Sequence, residues 1–145
     1  MKLPVSVLVV VHTADLEVLL LERAARSGFW QSVTGSLERL DEPVARAAAR
    51  EVGEETGIDA ASGTLERWPL AYTFEIYESW RHRFAPGVTH NTEHVFGLRL
   101  AQRPPVTLAP AEHVAFAWLP WDQAARKCFS WSNRDAILML GEKAL

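Results

Sequence analysis

The sequence predicts an α+β domain, a mixed sheet sandwiched between helices. Three observations predict it. Val5–Val11 is a nearly continuous valine-rich run, as expected of a strand buried on both faces. Short β-type runs recur on both sides of one alanine- and glutamate-rich helical stretch, Pro43 to Gly57. A second helical pattern closes the chain. Strands flanking one central helix, with another at the end, favour a layered α/β/α sandwich. The 145 residues are read as a single domain, 1–145, long enough to bury a core, with no repeats or linker.

In chain order, Thr13-Ala14-Asp15 is a turn, and Glu17–Glu22 (EVLLLE) returns as the second strand of a hairpin. Arg23 to Gly28 is a loop, and Phe29–Thr34 reads as one short strand. After the central helix, Gly63 marks a turn. Leu65–Leu70 and Tyr72–Trp80 read as two strands, the second with aromatic alternation. Arg81 to Asn91 is a loop centred on Pro86-Gly87. Glu93–Leu100 and Val114–Leu119 are further strands, joined by a proline-containing connection. Trp121–Lys127 is a short helix. Ser132, with Asp135 three residues on, is expected to cap the C-terminal helix.

Composition limits the function. A net charge of −3 argues against a dedicated nucleic-acid binder, which would show a basic stripe. Cys128 is the sole cysteine, so no internal disulfide is possible, compatible with a reducing cytoplasm. The N-terminal apolar run is too short to span a membrane and lacks a signal-peptide layout. A cytoplasmic protein without membrane or nucleic-acid partners is expected; oligomeric state is not legible.

The central helix carries the chemistry. Pro43 suits its first turn, Asp41 and Glu42 the positive end of its dipole, and Gly57 its stop. At about 100° per residue, Val44, Ala45, Ala48, Ala49, Val52 and Thr56 share a face expected to be buried. Glu51, Glu54 and Glu55 fall together beside it. Like charges at those spacings repel, and Arg46 and Arg50 relieve only part of the repulsion. A solvated acidic face would explain E-x-x-E-E alone. A hard cation such as Mg²⁺, which takes oxygen ligands and substrate phosphates, would turn the repulsion into attraction. The surrounding glycine loop, the paired Arg50-Glu51 and the terminal Gly57 favour that reading.

Arg50-Glu51-Val52-Gly53-Glu54-Glu55-Thr56-Gly57-Ile58 resembles the second half of the Nudix box, R-E-U-x-E-E-x-G-U with U apolar, at every fixed position. One departure precedes it. Gly35 and Glu42 enclose six residues where the family has five. Either the loop carries an extra residue or Asp41 substitutes for Glu42. An insertion is favoured, because it leaves the helix intact and loops absorb length cheaply. The resemblance implies a Nudix-type α/β/α sandwich with the box as loop–helix–loop.

Segments outside the box resemble the bacterial dihydroneopterin triphosphate pyrophosphatases, a group within that family. They include Phe29–Ser36 (FWQSVTGS), Arg81–Thr89 (RHRFAPGVT) and Ser130–Arg134 (SWSNR). This implies Mg²⁺-dependent (or Mn²⁺-dependent) hydrolysis of dihydroneopterin triphosphate to the monophosphate and pyrophosphate, a step toward folate. It implies metal ligands at Glu51, Glu55 and Glu112. Substrate contacts are implied for Lys2, Arg23, Thr34, the segment Phe74-Glu75-Ile76-Tyr77, and Ser130. Glu54 or Glu112 would activate water, and Arg50 would hold the acidic cluster by pairing with Glu42 or Glu54. Each fits its chemistry: cations for phosphate oxygens, aromatic rings and a carboxylate for a pterin. The alternatives are a nucleotide pyrophosphohydrolase acting on dATP or a damaged nucleotide, and a non-catalytic binding module. His12, His94 and His113 show no metal-ligand spacing, and the lid-like loop holding His82 and His90 is either solvated or phosphate-covering.

Overall fold

The structure, a computed structural model, describes residues 1–144. It contains seven strands: β1 (Val5–Thr13), β2 (Glu17–Arg23), β3 (Trp30–Gln31), β4 (Val33–Ser36), β5 (Thr64–Glu75), β6 (His90–Leu100) and β7 (His113–Pro120). The helices are α1 (Val44–Thr56), α2 (Trp121–Lys127) and α3 (Trp131–Ala144), with 3₁₀ turns at Ala60–Ser62 and Glu78–Arg83.

The strands form one mixed sheet in the order β3-β2-β1-β6-β5. β1 is its centre. One edge runs parallel to β6 along its whole length, from Val5↔Thr92 to Thr13↔Leu100. The other edge is divided: Ser6–Val9 pair with β4, while His12 pairs with Val18 of β2. β7 lies on the far side of β2.

Strand alternation sends β1 side chains into two cores. Val7, Val9 and Val11 pack with Leu19, Leu21, Phe96 and Leu98 against Ala47, Ala48 and Val52 of α1. Leu8 and Val10 pack with Val18, Leu20 and Val95 against Ala124, Ala125, Ala136 and Ile137 of α2 and α3. Both faces of the sheet are therefore covered, which explains the unbroken apolar run in β1.

Several expectations are corrected. Phe29–Thr34 is not one strand: the chain breaks at Ser32, so that Trp30 and Gln31 pair with β2 and Val33–Ser36 with β1. The break is fixed by Asn133, whose Oδ1 accepts the Ser32 N–H at 2.8 Å. The two strands expected over Leu65–Trp80 are a single β5 ending at Glu75, with a register irregularity between Arg67 and Ala71. The aromatic run continues into the 3₁₀ turn instead. His90 and Asn91 belong to β6 rather than to the loop. α3 opens two residues earlier than expected: Ser130, not Ser132, is its cap, with Oγ accepting the Asn133 N–H at 3.2 Å. Pro43 precedes α1 in extended geometry rather than lying in its first turn. Ala45 is exposed, while Ala47 and the two glutamates Glu51 and Glu55 are buried, so the buried face is rotated toward the carboxylates. Gly57 ends the helix in the left-handed conformation, φ 72°, as expected.

Candidate active site

A cleft of about 940 Å³ opens where the ends of β1, β4, β5 and β6 meet α1, the start of β7 and the start of α3. That is ample for a ligand with a bicyclic ring and a phosphate chain. Lys2, Arg23, Thr34, Arg50, Glu51, Phe74, Glu75, Ile76, Tyr77, Glu112 and Ser130 all line it, although they come from seven separate parts of the chain.

The box loop positions α1 through Arg50. Its guanidinium donates to both oxygens of Glu42, at 3.0 and 3.2 Å, to Glu51 at 2.7 Å, and to the Ser36 carbonyl at 3.2 Å. Glu38 and Glu54 lie at 3.3 and 3.4 Å. Arg50 therefore meets Glu42 and Glu54 together rather than one of them. Glu42 is buried and also accepts the Glu38 N–H at 2.9 Å, whereas Asp41 is exposed and faces Arg39. The extra loop residue is thus absorbed before Glu42, and α1 keeps its register. Gly35 makes the second contact: a Cβ there would overlap the Glu51 carboxylate, so only glycine lets that carboxylate lie against β4.

Glu55 is 1% exposed, and neither carboxylate oxygen has a hydrogen-bond partner among the described residues. Burial raises its pKa well above the usual carboxylate range, and the Glu51 and Glu112 carboxylates add to the shift. Burial also raises Glu51, with Arg50 opposing. Such orphaned oxygens suit a hard divalent cation, which would remove the repulsion. Glu55, Glu112 and His113 each offer a ligand atom, all within 4.8 Å of one another.

His113 corrects an expectation, because sequence spacing gave it no metal-ligand partner. A bulge between Glu22 and Arg23 sets His113 opposite Arg23, and its Nε2 lies 3.8 Å from Glu55 and 3.2 Å from Gln31 Nε2. Burial, with Arg23 nearby, pushes its pKa down to about 4, so the ring is neutral and forms no ion pair at pH 7. The available signal was adjacency to Glu112; the fold supplies the rest.

Opposite the carboxylates stand cations. Lys2 is drawn in by its backbone N–H bond to the Arg83 carbonyl, 2.8 Å. Burial and the neighbouring Arg83 and Arg23 charges lower its pKa, and burial and Arg83 likewise lower that of Arg23. The Trp80 ring lies 4.9 Å from the Arg23 guanidinium and 5.8 Å from that of Arg83, holding both by cation–π attraction. Crowded cations beside a cleft favour a polyanion. The sequence offers Arg83 only as part of the lid-like loop in its phosphate-covering reading, and Trp80 not as a contact.

The remaining residues are less uniform. Glu54 is exposed and does not line the cleft, while Glu112 is exposed and does. Glu75 is exposed and held by Arg81 at 2.6 Å. Phe74 is half-buried, Ile76 buried, and Tyr77 exposed against Trp80.

This fold and box place the chain in the Nudix family: the NUDIX domain model matches residues 2–140. Within it, the chain is 46% identical over 139 residues to the dihydroneopterin triphosphate diphosphatase of Escherichia coli K12, covering 94% of this chain and 91% of that protein. The dihydroneopterin triphosphate diphosphatase of Haemophilus influenzae is 36% identical over 135 residues, covering 91% and 84%. The solved E. coli dihydroneopterin triphosphate pyrophosphohydrolase superposes with a TM-score of 0.88 at 45% identity, over 95% of this chain and 94% of that one. The MutT protein of Methanosarcina mazei shares the fold alone, with a TM-score of 0.70 at 23% identity over 97% and 94%. No helix among the described residues is long and apolar enough to cross a membrane.

Proposed function

We propose that this chain, as a single Nudix domain, hydrolyses dihydroneopterin triphosphate to dihydroneopterin monophosphate and pyrophosphate with Mg²⁺ as cofactor. The observation that carries the reading is the facing of two charge sets across one cleft. The Glu51 carboxylate, held by Arg50, and the Glu55 carboxylate, without a hydrogen-bond partner among the described residues, lie on one side and the crowded cations Lys2 and Arg23 on the other. Neither set suits an uncharged ligand; a metal-bound phosphate chain satisfies both. The likeness to two dihydroneopterin triphosphate diphosphatases supports the choice of substrate.

Glu51, Glu55 and Glu112 would hold the cation. When bound, it neutralises phosphate charge and stabilises the leaving pyrophosphate. Lys2 and Arg23, with Arg83, bind phosphate oxygens. Thr34 and Ser130 offer hydroxyls to the cleft, and Phe74, Ile76 and Tyr77 form an apolar wall for the ring. Arg50 fixes Glu51 in place. Of the two carboxylates that could take the proton of the attacking water, Glu112 lines the cleft and Glu54 does not. The base role is therefore assigned to Glu112, and Glu54 is assigned to the Arg50 network.

Pyrophosphate release measured with Mg²⁺ across dihydroneopterin triphosphate, dATP and the other common nucleotides tests this reading. A kcat/KM highest for the pterin substrate is expected. Preference for dATP would give the nucleotide reading, and no release from any triphosphate the binding-module reading.

A further inference from the structure

Two acceptor atoms in the cleft have no role in phosphate chemistry. Asn91 and Glu93 lie two apart on β6, so their side chains project from the same face of the sheet. Both line the cleft and are nearly sealed, at 6% and 4% exposure. Asn91 Oδ1 and Glu93 Oε1 have no hydrogen-bond partner among the described residues.

Their orientation is fixed. Asn91 Nδ2 donates to Ser6 Oγ at 2.7 Å, which turns Oδ1 away as a free acceptor. Ser6 is also the β1 partner of Glu93, and Tyr72 its β5 partner, so Ser6, Glu93 and Tyr72 form one row across the sheet. Phe74 stands beside Asn91 in the next row. Tyr72 is tied to Asp135 of α3 by its hydroxyl, 3.0 Å, which leaves Glu93 to face the cleft. Two buried acceptors side by side, with no donor between them, match a ligand that presents adjacent N–H groups.

We propose that Glu93 and Asn91 form the ring-reading end of the cleft, accepting hydrogen bonds from the adjacent ring N–H and exocyclic amino group of a 2-amino-4-oxopyrimidine edge. The inference rests on the reading that the cleft takes a heterocyclic triphosphate, and it names which edge selects the heterocycle. Pterins and guanine share that edge. Adenine presents a ring-nitrogen acceptor beside its amino group, which sets a lone pair against an ionised Glu93. Hypoxanthine keeps the ring N–H and loses the amino donor. Burial pushes the Glu93 carboxyl up to about 7, with the Ser132 hydroxyl opposing, so N–H donors facing it would favour the ionised form. Glu75, already held by Arg81, is the less suitable carboxylate for this task.

The test is kinetic and uses the intact protein at pH 8.5 with Mg²⁺. In the unaltered protein, kcat/KM for dGTP should exceed that for dITP by about tenfold or more, because the two differ only in the amino group. A ratio near one overturns the inference, and this comparison needs no variant that might fail to fold. In Asn91→Leu, which removes the acceptor facing the amino group, the ratio should collapse toward one, and turnover of dihydroneopterin triphosphate should fall with that of dGTP. An unchanged ratio, or equal losses for dGTP, dITP and dATP, overturns it as well. If the protein cleaves no pterin substrate, the proposed function fails while the dGTP/dITP ratio still reads the edge. If the pterin substrate is cleaved and the ratio is flat, the edge assignment fails alone.

Discussion

Arg50 and Glu42 form a two-point ion pair, with hydrogen bonds of 3.0 and 3.2 Å, that joins the box loop to α1. Glu42 is 4% exposed at its side chain, so the pair is shielded from water. Glu42→Gln leaves part of the guanidinium unmatched and should destabilise the fold by roughly 1–3 kcal/mol. Arg50→Lys should not preserve function, because an ammonium cannot hold both oxygens of Glu42 and Glu51 together. Urea unfolding curves and kcat of the two variants check both statements.

Gly35→Ala should separate stability from activity. Its backbone has ordinary geometry, but the new methyl would meet the flexible end of Glu51. The carboxylate can swing aside, so stability should change by no more than about 1 kcal/mol. Displacing Glu51 should lower kcat/KM by about a hundredfold. Thermal melts and a Mg²⁺ titration of activity measure the two effects.

Glu55 predicts a pH-dependent metal affinity. Its pKa is raised, first by burial and then by Glu51, so metal-free protein holds a proton there at neutral pH. A cation must displace that proton, and affinity should rise with pH. The increase in melting temperature on adding Mg²⁺ should be larger at pH 8.5 than at pH 6.5, and calorimetry in two buffers should detect proton release. Glu55→Gln should lose the metal response and most turnover while remaining folded.

Glu93 predicts a slope in stability. Its pKa rises from 4.5 to about 7 on folding, with burial the main cause. The folded state therefore binds more protons than the unfolded state between those values. Its contribution is fully favourable below pH 4.5 and is lost as pH rises through 7. The loss amounts to roughly 3 kcal/mol in total. Unfolding free energy measured across that range should fall by this order in the unaltered protein, and the slope should flatten in Glu93→Gln.

Much of the fold was legible because it follows local periodicity. Val5–Val11, the α1 helix and Gly57 obey rules that a short window of sequence can show. What failed was decided by distant partners. Ser32 breaks a strand because Asn133, far along the chain, accepts its N–H. Ala45 is exposed because the sheet draws the Glu51 side of α1 inward. The candidate site was legible through resemblance for Glu51, Glu55, Glu112, Lys2 and Arg23, which line the cleft or the cluster beside it. His113 and Trp80 had no comparable signal, and Asn91 and Glu93 lie in a stretch that shares the resemblance, Asn91-Thr92-Glu93, which implied no role for either. Their importance rests on a bulge, a cation–π contact and unsatisfied oxygens, none of which has a sequence period.

The divided edge of β1 also sets the order in which the molecule can be made. Its full-length neighbour β6 and the Glu112–His113 corner leave the ribosome long after α1. A nascent chain ending before Glu112 holds the α1 carboxylates but neither Glu112 nor His113, which complete their cluster. A metal held by this cluster would therefore not template early folding, as it does in small zinc domains. Capture of such an ion would be a late event, available only to a chain whose central strand has already found its parallel partner.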